Sequence, residues 1–135
     1  MLGSPLAGKR VVMVGPVVIV DVNIEAELRR VGARTIAACQ NLAECVVACE
    51  REKPDLLLMG ISPHSLSESV SAVTEIGVER VGFIAAIVLN LDMEAEWQLR
   101  DAGVMAIFKK PFTASDLIPA LEELYRQRHP GGKSA

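Results

Sequence analysis

The sequence has few aromatic residues and no excess of basic charge. Of its 135 residues only 4% are aromatic, and the net charge is -3 at pH 7. A chain of this charge has no general electrostatic attraction to nucleic acid or to anionic lipid, because such binding depends on Lys and Arg neutralising phosphates. No apolar run approaches the roughly 20 residues that a membrane-spanning helix needs. We therefore expect neither nucleic acid nor a membrane as a partner.

Cysteine is also scarce, and its three positions do not form a disulfide framework. An odd number of cysteines, at Cys39, Cys45 and Cys49, is typical of a reducing compartment, so we expect a cytoplasmic protein. Cys45 and Cys49 are four residues apart on one predicted helix and could supply two metal ligands. His64 and His129 are too far along the chain to complete a tetrahedral set. We expect small thiols that face a sheet, and no metal or cofactor.

The residues that are present alternate between short apolar runs and amphipathic segments. Half of the sequence is apolar, and its length suits one domain with one core. Strands are predicted over 11–14, 34–39, 56–59, 81–89 and 104–108, and a helix follows each strand. Short connections between such pairs imply parallel strands joined by right-handed crossovers. The pattern predicts an open, doubly wound α/β sheet over 9–128, with a loose lead-in at 1–8 and a tail at 129–135.

The loop after the fifth predicted strand carries the most specific motif. It reads Lys109-Lys110-Pro111-Phe112, continues with Thr113-Ala114-Ser115-Asp116-Leu117, and follows Ala102-Gly103. Together with Pro54-Asp55-Leu56-Leu57-Leu58-Met59 and with Gly32, it closely resembles the receiver (CheY-like) domain of two-component response regulators. The match covers roughly residues 9 to 127. The resemblance implies a flavodoxin-like sheet of five strands in the order 2-1-3-4-5.

The chain departs from the family pattern where receivers keep their phosphorylation chemistry. The family's acidic pair falls on Gly15 and Pro16, and its phospho-accepting Asp falls on Gly60. No residue from Ala85 to Leu89 has the hydroxyl expected at the end of the fourth strand, and the aromatic switch position is Ile107. Magnesium prefers oxygen ligands, and a carboxylate must accept the phosphoryl group. We therefore expect a degenerate pseudo-receiver that binds no Mg²⁺.

The family's lysine is retained as Lys110. As the resemblance implies, we expect the Lys110-Pro111 bond to be cis, since this bond is commonly cis in receivers. Another acid, Asp21, is interpreted as a first-turn helix residue rather than as a relocated acceptor.

Two hypotheses for function follow from the resemblance and from these departures. The first is a non-enzymatic module that binds a protein partner, which is a histidine kinase, an output protein or a second copy in a homodimer. The face that receivers use for docking would here include Trp97, Arg100, Asp101, Ile107, Lys109 and Tyr125. Trp97 has the alternative of partial burial against the fifth strand.

The second hypothesis is a small-ligand sensor in the vacated pocket near Gly15, Gly60, His64 and Lys110. The field around Lys110 favours an anion there. A Ser and His pair at this loop suggests hydrolysis, but no third residue orients the imidazole. An enzyme is therefore the least favoured class.

Overall fold

The chain folds as a five-stranded parallel sheet with helices on both faces. The computed structural model describes residues 3–15, 22–77, 80–110 and 113–128. Its elements, in chain order, are β1 (Arg10–Val14), α1 (Val22–Arg30), β2 (Arg34–Cys39), α2 (Leu42–Glu52), β3 (Leu56–Ile61), a 3-10 turn (Pro63–Ser65), α3 (Leu66–Ile76), β4 (Phe83–Val88), α4 (Met93–Ala102), β5 (Ala106–Lys109) and α5 (Ala114–Arg128). The strand order is β2-β1-β3-β4-β5, and all four pairings are parallel. The predicted topology is confirmed.

Alternate residues of each central strand feed two separate cores. Val11 and Met13 of β1 pack with α1 and α5, while Val12 and Val14 pack with α2, α3 and α4. We call these two sides the α1–α5 face and the α2–α4 face. β3 and β4 are buried along their whole length, because helices cover both sides of a parallel sheet.

Two helix starts are fixed by side-chain hydrogen bonds between residues that are three apart in sequence. The backbone N–H of Glu44 donates to Asn41 Oδ1 over 2.9 Å, so Asn41 caps α2. The Glu44 carboxylate accepts from the N–H of Gln40 over 3.0 Å, one residue before the cap. At α5, the N–H of Asp116 donates to Thr113 Oγ1 over 3.1 Å, and the N–H of Thr113 donates back to Asp116 Oδ2 over 3.4 Å. This reciprocal pair is a capping box.

Several predicted boundaries need correction. β3 continues to Ile61, so Gly60 lies in the strand and not in the loop that follows it. α3 begins at Leu66, because the Pro63–Ser65 turn, closed by the N–H of Ser62 donating to Ser65 Oγ over 3.1 Å, leads directly into it. β4 is shorter than predicted, and Gly82 precedes it.

The interpretation of residues 1–8 as a loose lead-in is wrong for residues 4–8. Leu6 is fully buried in the core of the α1–α5 face. Ser4 Oγ donates to the carboxylate of Glu122 on α5, and the N–H of Gly8 donates to the carbonyl of Gly32 over 2.8 Å. A single large apolar side chain between small residues therefore anchors the segment to the domain.

Some predictions fall on residues outside those described. These are the start of the first helix over 17–21 with Asp21, the position Pro16, the Lys110-Pro111 bond and the tail 129–135. Among the helices that are described, none is both long and apolar enough to cross a bilayer.

Candidate functional site

The carboxyl ends of β1 and β3 form the centre of the candidate site. These strands are neighbours, with Val14 paired to Met59. From β1 the chain crosses to β2 on one side, and from β3 it crosses to β4 on the other. Ligands of doubly wound sheets bind at such a switch point, beyond the carboxyl ends of the strands. Gly15 and Gly60 occupy this point, one residue beyond that pair.

The backbones of Gly15 and Gly60 are in direct contact. Gly15 has φ of +138°, and a Cβ atom built on it would lie 2.8 Å from the nitrogen, 2.9 Å from Cα and 3.0 Å from the oxygen of Gly60. The two shorter distances are ones that Cβ atoms essentially never show, and the positive φ is itself strained for other residues. No side chain fits at position 15 unless the backbone moves.

This geometry does not fit the magnesium ion that receivers bind. Neither Gly15 nor Gly60 offers a side-chain oxygen, and the space where a carboxylate would begin at position 15 is filled by the Gly60 backbone. Mg²⁺ requires near-octahedral oxygen ligands, commonly carboxylates. The described ends of β1 and β3 therefore lack the carboxylate ligands that the ion needs.

The neighbouring strands complete the edge with aliphatic residues. Gly60 is paired with Ile87, and Ile61 is paired with Val88. Both β4 residues are buried and have no hydroxyl. Lys110 follows β5, and its backbone N–H donates to the carbonyl of Val88 over 3.1 Å. The sequence alone did not give the register of β4 against β3. The structure fixes this register, which places aliphatic side chains beside Gly60.

A cavity of about 450 Å³ opens beside this edge, between the start of α2 and the start of α3. It brings together three of the predicted pocket residues, Gly15, Gly60 and His64. The fourth, Lys110, is not among the described residues that line it, so the predicted set is corrected. The remaining lining residues are Val14, Gln40, Asn41, Leu42, Ser65, Glu68 and Ser69.

The cavity wall is mainly apolar and carries no fixed positive charge among its described residues. Glu68 contributes a carboxylate, and no lining residue is Lys or Arg. Ser69 is only 1% exposed and is the buried polar residue of the described core. Sequence reasoning missed Ser69, although it precedes Val73 by four residues and Ile76 by seven. That helical spacing is the signal that places it on the buried stripe of α3.

The predicted docking face is exposed at α4. Trp97 is 69% exposed, so its alternative of burial against β5 is wrong. Met93, one turn earlier on the same helix, is 76% exposed. Arg100 and Asp101 are also exposed. Lys109 of β5 pairs with Glu96 of α4, with 2.7 Å between Nζ and Oε2, which ties the strand to the helix.

Tyr125 does not belong to that face, which corrects the prediction. It is buried in the core of the α1–α5 face, and its ring centroid lies 5.5 Å from that of Phe83. Burial raises the pKa of the Tyr125 hydroxyl, and the charge of Asp55 raises it further. The inward stripe of α5 runs through Leu117, Leu121 and Tyr125 at intervals of four, and Leu124 is only half-buried. Ile107 is likewise half-buried.

The cysteines are placed as predicted, with Cys45 and Cys49 buried in the core of the α2–α4 face. A hydrogen bond to Cys49 raises the pKa of Cys45, and burial adds to the effect. Burial also raises the pKa of the half-buried Cys39. Across the described residues no three His, Cys, Asp or Glu side chains are grouped so that they could hold a metal ion.

The strand order and the placement of the helices are those of the flavodoxin-like fold of receiver (CheY-like) domains. The chain superposes on the signal receiver domain of a modulated diguanylate cyclase from Desulfovibrio desulfuricans with a TM-score of 0.73 and 17% identity, covering 90% of this chain and 97% of that one. The receiver domain of the response regulator NarL from Mycobacterium tuberculosis gives 0.73 and 12%, covering 89% and 98%. At these identities the likeness shows the fold.

A relative was also found by sequence. The chain is 30% identical over 114 residues to the "Transcriptional regulatory protein PdtaR" of Mycobacterium tuberculosis, covering 84% of this chain and 55% of the relative. This chain therefore spans about half the length of the curated relative that it matches. No family model matches the chain.

Proposed function

We propose that this chain is a pseudo-receiver signalling module, which acts by binding a protein partner and not by phosphorylation of an aspartate. The observation that carries the proposal is the contact between Gly15 and Gly60, where a receiver would keep carboxylates. Its relative is named as a transcriptional regulatory protein, so we place the partner in a regulatory pathway. We assign no enzymatic activity to the domain.

The chemistry of phosphoryl transfer supports the first half of the proposal. An acceptor carboxylate must attack the phosphoryl group, and positive charge, usually Mg²⁺, must stabilise the transferring oxygens. Gly60 has no nucleophile, and position 15 has no room for a metal ligand. Asp55, the nearest acid in sequence, precedes β3, at the opposite end of the strand from Gly60. A route through Asp phosphorylation is therefore missing at this edge.

The surface of α4 supports the second half. Met93 and Trp97 are four residues apart, so their side chains are neighbours on one side of the helix. A large exposed aromatic residue beside a second apolar side chain is a common binding hot spot. Arg100 and Asp101 would supply a charged rim one turn further on. The Lys109–Glu96 ion pair would hold the face in place. The partner is a protein, either a kinase, an output protein or a second copy.

Phosphorylation is tested first. We expect no acid-labile phosphate after incubation of the purified chain with acetyl phosphate and Mg²⁺, measured by intact mass, and no Mg²⁺-dependent change in its melting temperature. An intact receiver domain is the positive control. Phosphate at unit stoichiometry would overturn the proposal, and repeating the labelling with Asp21→Asn would show whether that acid is the acceptor.

Partner binding is tested with Trp97→Ala. We expect this variant to recover much less of the partner than the wild type in a pull-down from the native organism. Gln127→Ala, which truncates an exposed side chain of α5 on the opposite face of the sheet, is the control and should recover it normally. Equal recovery by the wild type and by Trp97→Ala would exclude α4 as the docking face.

A second candidate function, small-ligand sensing, is favoured by the cavity and by Ser69. The volume of about 450 Å³ falls within the range of small-molecule sites. The Ser69 hydroxyl lies in its wall with almost no exposure, and buried hydroxyls are normally hydrogen-bonded. Because the described lining has a carboxylate and no Lys or Arg, a neutral or amine-bearing ligand suits it better than the anion predicted from the sequence.

A thermal-shift screen tests this candidate. Polyols, amines and nucleosides are compared with sulfate and phosphate, since a ligand that binds only the native state raises the melting temperature. We expect a shift with one of the uncharged or amine-bearing compounds and its loss in Ser69→Ala, while Ser67→Ala, at an exposed position of the same helix, retains it. A shift with sulfate or phosphate alone would contradict the proposed ligand class, and no shift with any compound would remove this candidate.

A further inference from the structure

A second cleft runs along α2 and the edge strand β2, away from the site described above. Its volume is about 580 Å³, and its wall is largely apolar, with Cys39 of β2 and with Ala43, Val47 and Ala48 of α2. β2 lies at the edge of the sheet and pairs only with β1 among the described strands. Val47 is 55% exposed although valine is normally buried. An apolar helix stripe beside an open strand is thus left uncovered.

Two charges of opposite sign flank this stripe. Glu44 lies one turn before Val47, and Arg51 lies one turn after it, and both line the cleft. At 1.5 Å per residue, Glu44 and Arg51 are about 10.5 Å apart along the helix axis, with the midpoint between Val47 and Ala48. Read along α2, the stripe is negative, apolar and then positive.

The order of charges along α2 is complementary to the order on a second copy of α2 that runs in the opposite direction. When two copies of α2 pack antiparallel about a two-fold axis near Val47, Glu44 of each copy faces Arg51 of the other, and the apolar residues meet at the axis. A two-fold interface needs such self-complementarity, since the same patch is used by both subunits. The helix dipole accounts for an acid in the first turn and a base in the last, but it does not account for an exposed valine between them.

We propose that two copies of this chain form a symmetric dimer through the α2–β2 cleft, with reciprocal Glu44–Arg51 pairs around Val47. Both charges have local contacts that leave them accessible. Glu44 accepts from the N–H of Gln40 through Oε1, and Arg51 contacts Glu52 through Nε over 3.1 Å with 65% of its side chain exposed. This dimer is independent of the α4 docking face, because α2 and α4 lie on opposite sides of α3.

Reversal of the charges tests the dimer by analytical ultracentrifugation of the full chain. Glu44→Arg and Arg51→Glu each place like charges opposite one another, so each should raise the dimer Kd by about tenfold or more. The double variant Glu44→Arg/Arg51→Glu restores both pairs and should return the Kd close to that of the wild type. Salt should weaken the wild-type dimer, because the exposed pairs are screened.

Comparing the three variants shows whether a weaker dimer results from a damaged helix or from the lost contact between copies. Both single variants act against the dipole of α2, and a merely structural effect would add in the double variant. Recovery of dimerisation in the least favourable helix can therefore come only from the contact between copies. Circular dichroism and urea unfolding of each variant confirm that the monomer is folded.

Disulfide trapping gives a second measurement. Val47→Cys places a thiol near the two-fold axis, so mild oxidation should yield a covalent dimer whose 47–47 link is identified by peptide mass mapping. Met93→Cys, which is more exposed than position 47 but lies on α4, is the control and should not crosslink faster than random collision.

Three results would overturn the proposal. The first is a wild type that remains monomeric at about 1 mM, a concentration at which a dimer with a Kd of about 1 mM is already populated. The second is a double variant whose dimer is no tighter than that of the single variants. The third is a crosslink that forms at position 93 and not at position 47. Loss of the dimer in Trp97→Ala would instead assign self-association to α4, whereas a normal dimer in that variant leaves the α4 proposal to its own test.

Discussion

The two faces of the sheet differ in how their helices meet solvent. On the α1–α5 face the outer surface carries intrahelical ion pairs, with Arg30 paired to Glu27 over 2.8 Å and Arg126 paired to Glu123 over 2.9 Å. On the α2–α4 face the helices expose large apolar side chains. The exposed large hydrophobic residues of the described structure all lie there, at Val47, Met93 and Trp97.

The two faces therefore offer different surfaces to a binding partner. Ion pairs on a helix surface contribute little to stability, but they make the α1–α5 face polar and unsuited to apolar contacts. Exposed valine, methionine and tryptophan side chains do not stabilise the monomer and gain by burial against another chain. We therefore expect substitutions on the α1–α5 face to act on stability, and those on the α2–α4 helices to act on association.

The largest effect should come from a core residue of the α1–α5 face. Leu121 is fully buried on α5, and Leu121→Ala should lower the free energy of unfolding by about 3 kcal/mol through lost burial and a residual cavity. Val47→Ala on the opposite face should change it by less than about 0.5 kcal/mol. Urea unfolding measures both. Similar losses in the two variants would break the comparison between the faces.

The next largest effect on stability is expected where the carboxyl ends of β1 and β3 meet. Gly15→Ala meets both an unfavourable φ and the Gly60 backbone, so it should cost about 3 kcal/mol of stability. Gly8→Ala is the matched control, because Gly8 also has a positive φ, of +77°, but has no atom within 4 Å of the added Cβ. It should cost about 1 kcal/mol. Equal costs would mean that the contact with Gly60 contributes nothing.

A smaller effect is expected at the start of α4. Asp92 Oδ1 accepts from the N–H of Ala95 over 2.9 Å and caps the helix that carries Met93 and Trp97. Asp92→Ala should cost about 1 kcal/mol and speed hydrogen exchange in the first turn of α4. Asp101→Ala, which removes an acid from the last turn, should leave stability unchanged or raise it slightly. Faster exchange in both variants would argue against a role for the cap.

The smallest effect should appear only at alkaline pH. The pKa of Tyr125 is raised in the folded chain, so the unfolded chain releases this proton first, and stability falls as the pH rises above about 10. Tyr125→Phe should make that fall shallower in urea unfolding at a series of pH values. Part of the fall should remain, because the pKa of Cys45 is raised as well. An identical pH profile for the variant would contradict the burial of this hydroxyl.

The fold was predictable because the spacing of the apolar residues and the residues that cap the helices indicate the same elements. Asn41 with Glu44 and Thr113 with Asp116 mark helix starts by side-chain chemistry that is purely local. The strand order rested on the resemblance to receivers, and the structure confirms it. Helix and strand ends were less predictable. Gly60 extends β3 because the neighbouring strand β4 pairs with it, and that neighbour is far away in sequence.

The carboxylates that the candidate site lacks could be predicted from the sequence, but the shape of the site could not. The missing carboxylates at Gly15 and Gly60 can be read directly from the sequence, whereas the contact between their backbones depends on how closely β1 and β3 approach. Tyr125 was placed on the docking face by the resemblance to receivers, yet its ring packs inward near that of Phe83. The role of Ser69 depends on a cavity formed by two separate loops.

The contact between Gly15 and Gly60 also limits which substitutions this edge of the sheet can accept. A receiver that loses one acidic residue can regain it by a single reverse substitution as long as the pocket keeps its shape. In this chain the space for a side chain at position 15 is occupied by the backbone of Gly60. An acid at position 15 would destabilise the fold before it could contribute to any activity. A carboxylate at position 15 would therefore require a shift of both strand ends.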